Sequence, residues 1–209
     1  MILKKLFTKT APLYLLTDTR IAGLSNIEIT RQALRAGIKI IQLREKNLSK
    51  KELYKEALAM RALMTKHKAF LIINDHIDIA MAVKADGVHL GQEDMPIAEA
   101  RRIMGRKMII GISTHSLRQA KKAELDGADY IGFGPIFHTS TKDAGRPKGL
   151  KALKKVRDHI DIPIVAIGGI TSGNIKEILM SGADAAAIAS GILRGNIIKN
   201  AKRYLSALK

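Results

Sequence analysis

Three polar residues, Gln42, Arg44 and Lys46, alternate with other side chains along one short segment of the sequence. In a β-strand, successive side chains point to opposite faces, so these three would share one face while Leu43 points to the other. Two cations beside an amide suit a polyphosphate, which arginine binds as a bidentate fork and lysine as a point charge. The alternative is that both cations are surface charges next to Glu45.

Two aspartates follow the next two apolar segments. Asp75 comes directly after the run that ends at Ile73, and Asp94 closes the short loop that begins at Gly91. Two carboxylates at neighbouring strand ends could hold one Mg²⁺ ion, which in proteins takes a few carboxylates, several waters and substrate phosphate oxygens. The alternative is that both aspartates cap helices, because each precedes a helical pattern.

A long polar segment follows the sixth apolar run, over residues 134–145. It exceeds the usual length of about 2–6 residues for loops between strands and helices, and long loops are often binding segments or lids. Three hydroxyls and one ammonium group lie within it: Thr139, Ser140, Thr141 and Lys142. The alternative is a solvated Ser/Thr loop without a binding role.

Glycines and small residues follow the last two apolar runs. Gly168 and Gly169 end the seventh, and Ala189, Ser190 and Gly191 end the eighth. Backbone N–H groups at such positions can approach an anion closely, and the loops after the last two strands of a parallel barrel are a frequent phosphate site. The alternative is that these glycines serve tight turns alone.

The elements that would position these residues are short apolar runs separated by segments of helical period. The strand candidates are residues 13–17, 38–43, 70–73, 87–90, 108–112, 130–133, 164–167 and 186–189. Alternating strands and helices predict a parallel sheet, and eight such units predict an α/β fold, a single (β/α)₈ TIM barrel over residues 1–209. An open doubly wound sheet is the alternative, but its G-x-G-x-x-G motif is absent after the first run.

Four helical patterns end in a small residue followed by glycine, just before an apolar run. We expect these glycines to adopt the left-handed conformation that closes a helix. They are Gly37, Gly87, Gly127 and Gly182.

Composition excludes several classes of protein. With no cysteine in 209 residues, disulfide scaffolds, Cys-ligated zinc, iron–sulfur clusters and thiol nucleophiles are excluded. The six histidines have no metal-binding spacing, and His89, inside a strand, is expected to be packed and hydrogen-bonded. No apolar run approaches the ~18 residues of a membrane span, and no signal peptide is evident, so we expect a cytoplasmic protein without a membrane partner.

The net charge is +17, from 36 Lys and Arg against 19 Asp and Glu. Such a field attracts phosphates and nucleic acids alike. The lysines are scattered over helical segments and are not interleaved with aromatic residues that could stack on bases. We therefore expect phosphorylated small molecules, and no nucleic acid, as partners.

Together these segments resemble the thiamine phosphate synthase family. The motifs that carry the resemblance are YLLTD at 14–18, QLREK at 42–46, IIND at 72–75, DGVHLGQED at 86–94, GPIF at 134–137, TSTK at 139–142 and VAIGGI at 165–170. The resemblance implies a (β/α)₈ barrel that joins a hydroxymethylpyrimidine diphosphate to a thiazole phosphate, carboxylated or not, with release of pyrophosphate.

The resemblance also implies a role for each residue. The pyrimidine diphosphate would contact Gln42, Leu43, Arg44, Glu45, Lys46, Asn74, Ser113 and Lys142. The thiazole phosphate would contact Thr139, Ser140, Thr141, Gly169, Ala189 and Ser190. One Mg²⁺ would be bound by Asp75 and Asp94. The catalytic residues would be Arg44, Lys46, Lys142 and Ser113, with the three cations neutralising charge on the departing pyrophosphate.

Two other functions fit parts of the sequence. A thiazole tautomerase paralogue would be an isomerase on the same barrel, without the diphosphate and metal residues that this sequence carries. A non-catalytic basic module that binds phosphates or nucleic acid would explain the charge but not two aspartates at strand ends. A homo-oligomer is compatible with each of these functions.

Overall fold

The fold is a closed barrel of eight parallel strands, each paired with the next in the sequence and β8 paired with β1. The computed structural model describes residue 7, residues 12–139 and residues 145–208. The strands are β1 Leu13–Leu16, β2 Ile40–Leu43, β3 Phe70–Asn74, β4 Gly87–Leu90, β5 Ile109–Thr114, β6 Tyr130–Phe133, β7 Ile164–Ile167 and β8 Ala185–Ile188. The predicted barrel is thereby confirmed.

Helices follow each strand and surround the barrel. Within the described ranges they are α1 Thr19–Ala22, α2 Asn26–Ala36, α3 Lys50–Lys66, α4 Ile77–Ala82, α5 Ile97–Met104, α6 Leu117–Leu125, α7 Gly149–Arg157, α8 Ile175–Met180, α9 Ser190–Leu193 and α10 Ile197–Ser206. None of these helices has both the length and the apolar character that a bilayer crossing requires.

Strand side chains alternate between two apolar layers, as the pleat of a β-strand requires. One layer fills the barrel interior and includes Tyr14, Ile40, Ile72 and Tyr130. The larger layer lies between the strands and the helices, and fully burying one such Leu or Ile side chain contributes about 1.5–3 kcal/mol. Interior side chains can therefore share one face of a strand with polar residues just beyond its carboxyl end.

The loop after β2 is fixed where α3 begins. The Ser49 hydroxyl accepts a hydrogen bond from the Glu52 backbone N–H (3.3 Å), and the Glu52 carboxylate accepts one from the Ser49 backbone N–H (2.9 Å). This reciprocal capping satisfies two N–H groups that a helix start would otherwise leave unpaired. The short segment between Leu43 and Ser49 is thus anchored at both ends.

Five of the eight predicted strands differ from the observed ones by one or two residues at one or both ends, and one predicted helix cap is wrong. The second strand begins at Ile40 rather than residue 38, because the Ile38 backbone N–H donates to Ala33 at the end of α2. Gly87 is not a helix cap, unlike the other three glycines, whose φ angles are positive. It begins β4, where a Cβ would lie 2.3 Å from the carbonyl oxygen of Ile109, so the close approach of β5 requires glycine.

At the amino end of the barrel, three aspartates share one arrangement. The Asp86 carboxylate accepts hydrogen bonds from the Arg61 guanidinium (2.6 Å) and from the Leu71 backbone N–H of β3 (2.8 Å). Each of the other two also pairs with an arginine of an outer helix and a backbone N–H of a strand: Asp129 with Arg101 and Ile110, and Asp184 with Arg157 and Ile164. These aspartates join helices to strands.

Candidate active site

Two cavities open at the carboxyl ends of the strands. The larger has a volume of about 760 Å³ and lies towards β1, β7 and β8; the smaller, of about 150 Å³, reaches into the barrel interior and is lined by residues of all eight strands. Arg44 and Ser113 line both cavities. The rim of the barrel thus presents two adjoining compartments with a cation and a hydroxyl at their junction.

Arg44 is held at this junction by β1. Its backbone N–H donates to the Thr17 hydroxyl (3.1 Å), and its guanidinium lies 4.0 Å from the carboxylate of Asp18. Asp18 is itself buried and accepts hydrogen bonds from the backbone N–H groups of Arg20 and Ile21 at the start of α1. An arginine oriented in this way retains donors for an anion in either cavity.

Gln42 lies deeper, in the barrel interior. Its side chain is buried, with 2% of the residue exposed, and its Nε2 donates to the Tyr14 hydroxyl (2.8 Å). Its Oε1 has no hydrogen-bond partner among the described residues. A buried amide oxygen without a partner is energetically costly, so a bound donor would stabilise this arrangement.

The other three residues of the 42–46 segment differ from one another in their surroundings. The Leu43 side chain packs in the outer layer and lines neither cavity, so any contact with a substrate would come from its backbone. Glu45 accepts hydrogen bonds from the Thr19 hydroxyl (2.7 Å) and from the backbone N–H of Lys46 (3.0 Å). Lys46 is exposed at the rim and lines the smaller cavity with Asn74.

Asp75 and Asp94 come together at the mouth of the smaller cavity. Burial raises the pKa of Asp75, and the nearby Asp94 carboxylate raises it further, while the positive charges of His76 and Lys46 lower it. Asp75 has a φ of 63°, and its backbone N–H donates to the carbonyl oxygen of His89 (2.9 Å). Its carboxyl is therefore held next to a like charge.

Helix capping does not account for this pair. The N-cap of α4 is His76 and that of α5 is Pro96, and neither makes a side-chain capping hydrogen bond. One Asp94 oxygen accepts a hydrogen bond from the Gly91 backbone N–H (2.6 Å), which fixes the turn after β4.

The donor set fits magnesium. Asp75 lines a cavity that could supply substrate phosphate oxygens and water, and the Asp94 carboxylate lies against Asp75. Carboxylates, phosphate oxygens and water are the ligands that Mg²⁺ prefers. In the described part of the chain, no group of three or more His, Cys, Asp or Glu residues is placed to hold a metal. A cation here would therefore depend on substrate and water for most of its ligands, and it would relieve the repulsion between the two carboxylates.

A series of hydrogen bonds crosses the barrel interior below these groups. The hydroxyls of Tyr14 and Tyr130 are 2.9 Å apart, the Tyr130 hydroxyl is 2.9 Å from Nδ1 of His89, and Nε2 of His89 is 3.0 Å from Oγ of Ser113. With Gln42 these residues form what we call the interior network. Burial lowers the pKa of His89 to about 4, against an opposing effect of Asp94, so its imidazole is neutral at pH 7.

The loops after β6 and β7 pack tightly and form one wall of the larger cavity. The backbone N–H groups of Ile136 and Phe137 donate to the carbonyl oxygens of Ile167 (2.9 Å) and Gly168 (3.1 Å). Gly169 has a φ of 65°, and a Cβ there would lie 2.6 Å from the carbonyl oxygen of His138. Thr139, Gly169, Ala189 and Ser190, which are predicted to contact the thiazole phosphate, line this cavity.

Three of the predicted site residues lie outside the described residues: Ser140, Thr141 and Lys142. The others, apart from Leu43, Glu45 and Asp94, line one or both cavities. They are Gln42, Arg44, Lys46, Asn74, Asp75, Ser113, Thr139, Gly169, Ala189 and Ser190. Asp94 joins them through its interaction with Asp75.

Sequence reasoning missed four residues of the site: Tyr14, Tyr130, Thr17 and Asp18. Alternation along β1 and β6 could have placed both tyrosines in the barrel interior. Each tyrosine is separated by one or more two-residue repeats from a rim residue on the same face of its strand. The hydrogen bond of Thr17 to the Arg44 backbone and the ion pair of Asp18 with Arg44 depend on the register between β1 and β2 and carry no local signal.

Residues 13–192 match the family described as thiamine monophosphate synthase. A protein from Chloroflexus aurantiacus named thiamine-phosphate synthase is 45% identical over 198 residues, which cover 94% of this chain and 91% of that protein. A thiamine-phosphate synthase from Caldicellulosiruptor bescii is 50% identical over 181 residues, covering 86% of this chain and 82% of that protein.

A solved structure has the same architecture over nearly the whole length. The thiamine phosphate pyrophosphorylase from Pyrococcus furiosus superimposes with a TM-score of 0.89 at 39% identity, covering 97% of each chain. The family match, the sequence relatives and the solved structure agree on the family and on the fold. The chain belongs to the thiamine monophosphate synthase family, a family of transferases.

Proposed function

We propose that this protein joins a 4-amino-2-methyl-5-(diphosphooxymethyl)pyrimidine to a 4-methyl-5-(2-phosphoethyl)thiazole, forming thiamine phosphate and pyrophosphate. The observation that carries the proposal is the pair of adjoining cavities, with Arg44 and Ser113 at their junction and Asp75 beside Asp94 at the mouth of the smaller one. Two compartments suit two phosphorylated substrates whose reacting ends must meet.

The diphosphate would be bound where the smaller cavity opens. Arg44 and Lys46 would contact its oxygens, and the predicted contact of Lys142 would add a third cation. Asp75 and Asp94 would hold one Mg²⁺, which, when bound, would neutralise charge on the diphosphate. Arg44 is 19% exposed in its side chain and stays oriented by Asp18, so its charge is partly shielded from water and acts more strongly on an anion.

The thiazole phosphate would occupy the larger cavity. Gly169 brings the backbone of the β7 loop close to the cavity, and Thr139 and Ser190 contribute hydroxyl-bearing side chains on its walls. The predicted contacts of Ser140 and Thr141 would complete this phosphate site. An anion at this position would place the thiazole ring towards the junction that Arg44 and Ser113 line.

The chemistry needs charge stabilisation more than proton transfer. The bond between the methylene carbon and the diphosphate oxygen breaks and its electron pair leaves with pyrophosphate; the thiazole nitrogen then supplies the pair that forms the new C–N bond. Arg44 and Lys46 would stabilise the growing negative charge, and Ser113 would donate to the reacting substrate. Loss of one preorganised donor of this kind costs about 10²–10³ in rate.

The test is an assay with both phosphorylated heterocycles, with and without Mg²⁺. We expect thiamine phosphate and pyrophosphate in equal amounts, loss of turnover with EDTA, and recovery when excess Mg²⁺ is added. Turnover that is indifferent to EDTA would remove the metal from the proposal. No product from either the plain or the carboxylated thiazole phosphate would overturn the proposed reaction.

The same reagents separate the isomerase alternative. A tautomerase would convert the carboxylated thiazole phosphate by itself, without consuming the pyrimidine diphosphate. A nucleic-acid titration at rising salt tests the basic-module alternative, for which the affinity should fall steeply as salt is raised. We expect neither isomerisation nor specific nucleic-acid binding.

A further inference from the structure

The interior network has a definite hydrogen-bond direction. Gln42 Nε2 donates to the Tyr14 oxygen, so the Tyr14 proton is available for Tyr130, its other hydrogen-bond partner among the described residues. Burial raises the pKa of both tyrosines, so both hydroxyls keep their protons. Tyr130 then accepts from Tyr14 and donates to Nδ1 of His89.

The direction continues through the imidazole. An imidazole whose Nδ1 accepts from Tyr130 carries its proton on Nε2, and this N–H donates to Oγ of Ser113 (3.0 Å). The Ser113 oxygen is thereby used as an acceptor, and its own proton is left for a group outside the network. Ser113 lines both cavities, so that group would be a bound substrate.

At the opposite end of the network, Gln42 also has a polar atom available to a bound substrate. Oε1 of Gln42 is buried and has no partner among the described residues, and Gln42 lines the smaller cavity. If the amide were reversed, every bond would reverse with it, and Ser113 would donate to His89 instead of to a substrate. The amide orientation and the Ser113 hydroxyl are therefore coupled across the barrel.

The barrel interior leaves room for this series of side chains. A Cβ at Gly111 of β5 would lie 2.1 Å from Cζ of Tyr130, and a Cβ at Gly132 of β6 would lie 3.1 Å from Cε1 of His89. Any larger residue at Gly111 would displace the Tyr130 ring, so the network depends on glycine at this interior position.

We propose that Tyr130 and His89 are positioning residues that fix the Ser113 hydroxyl as a donor to the pyrimidine diphosphate. Tyr14 links this direction to Gln42, whose Oε1 accepts from the amino group of the heterocycle. The inference rests on the proposed function, because that function identifies the substrate groups that would contact Ser113 and Gln42 at the two ends of the network. A heterocycle that carries a carbonyl in place of the amino group would present an acceptor to Gln42 and oppose this direction.

The tautomer of His89 can be observed without any turnover. In ¹⁵N-labelled protein, with the signal assigned by its absence in His89→Gln, we expect a proton on Nε2 and none on Nδ1, before and after addition of the pyrimidine diphosphate. Tyr130→Phe should change the Nδ1 signal. A proton on Nδ1 in the protein with bound pyrimidine diphosphate would overturn the inference.

Kinetics test whether Tyr130 acts through Ser113. Tyr130→Phe should lower kcat by about tenfold or more, with a smaller change in KM, as loss of an orienting hydrogen bond does elsewhere. In a Ser113→Ala background, the same change should lower kcat less than about twofold, because its target is absent. Equal fold-losses in both backgrounds would show a merely structural role.

Two further variants guard against a folding defect. Thr114→Val removes the neighbouring hydroxyl of β5, which is buried, donates to the Gly132 carbonyl (3.0 Å) and faces away from the interior; kcat should stay within about twofold. His89→Gln keeps an N–H donor for Ser113, so it should retain more of kcat than His89→Leu. If His89→Leu is as active as His89→Gln, the donor role of His89 is wrong.

The two proposals fail in different ways. Wild-type protein that forms no thiamine phosphate would refute the proposed function, whereas the tautomer of His89 would still be measured. Wild-type protein that is active, but in which the effects of Tyr130→Phe and Ser113→Ala on kcat multiply, would refute the positioning role and leave the reaction in place.

Discussion

The two ends of this barrel use aspartate in opposite ways. At the amino end, each of Asp86, Asp129 and Asp184 has an arginine partner and a strand N–H to accept from. At the carboxyl end, Asp75 and Asp94 lie against each other, and this proximity together with burial raises the pKa of Asp75. A carboxylate paired with a cationic side chain stabilises a fold. Two neighbouring carboxylates repel each other, and this repulsion is offset only when a cation binds between them.

The largest expected effect is on catalysis. Asp75→Asn should lower kcat by about 10²–10³-fold, because the variant loses a carboxylate ligand that would help hold charge-neutralising Mg²⁺. Its melting temperature without metal should not fall. Steady-state kinetics at saturating Mg²⁺ and thermal unfolding of the same sample check both parts. Wild-type turnover in this variant would show that the two ends of the barrel do not differ as described.

Substitution of an aspartate at the amino end should lower the free energy of unfolding and leave the catalytic rate unchanged. Asp86→Ala removes the partner of Arg61 and leaves the Leu71 N–H unpaired, at a cost of about 2 kcal/mol in the free energy of unfolding. Urea unfolding measures this cost, and kcat per folded molecule should be unchanged. Asp86→Asn keeps an acceptor for the strand and should lose less stability than Asp86→Ala.

A smaller effect is expected in the dependence of stability on pH. The folded-state pKa of Asp75 is raised above its ordinary value of 3.8, so the folded protein holds this proton more tightly than the unfolded chain does. Asp75 therefore costs stability as pH rises through the window between these two values. In metal-free protein, Asp75→Asn should melt above wild type at pH 7, with the difference shrinking towards about pH 4. A difference that grows on acidification would contradict the raised pKa.

The smallest expected effect is the loss of stability when a solvent-exposed ion pair is removed, and it serves as the reference for the partly buried pairs. Lys50 and Asp78 are 2.7 Å apart, with 70% and 55% of their side chains exposed. Lys50→Ala should change the free energy of unfolding by less than about 0.5 kcal/mol, because water screens an exposed pair. Chemical unfolding beside Asp86→Ala provides the measurement; an equal loss in both variants would mean that burial does not distinguish these pairs.

The sequence was informative where a local pattern has a direct structural meaning. Alternation placed Gln42, Arg44 and Lys46 towards the barrel and Leu43 towards the helices, and the structure agrees. It failed at Gly87, where the residue pair that precedes a strand resembles a helix end. The requirement for glycine there comes from β5, which lies more than twenty residues away in the sequence.

The order of apolar runs, the residues at their ends and the spacing of helices were fixed by the sequence alone, because pleat and helix periods are local properties of the backbone. Tertiary structure alone decided which of these residues meet. The network from Gln42 to Ser113 joins five side chains on β1, β2, β4, β5 and β6, and the proximity of Asp75 and Asp94 depends on the pairing of β3 with β4. Such contacts depend on strand register and barrel closure, which no local stretch of sequence encodes.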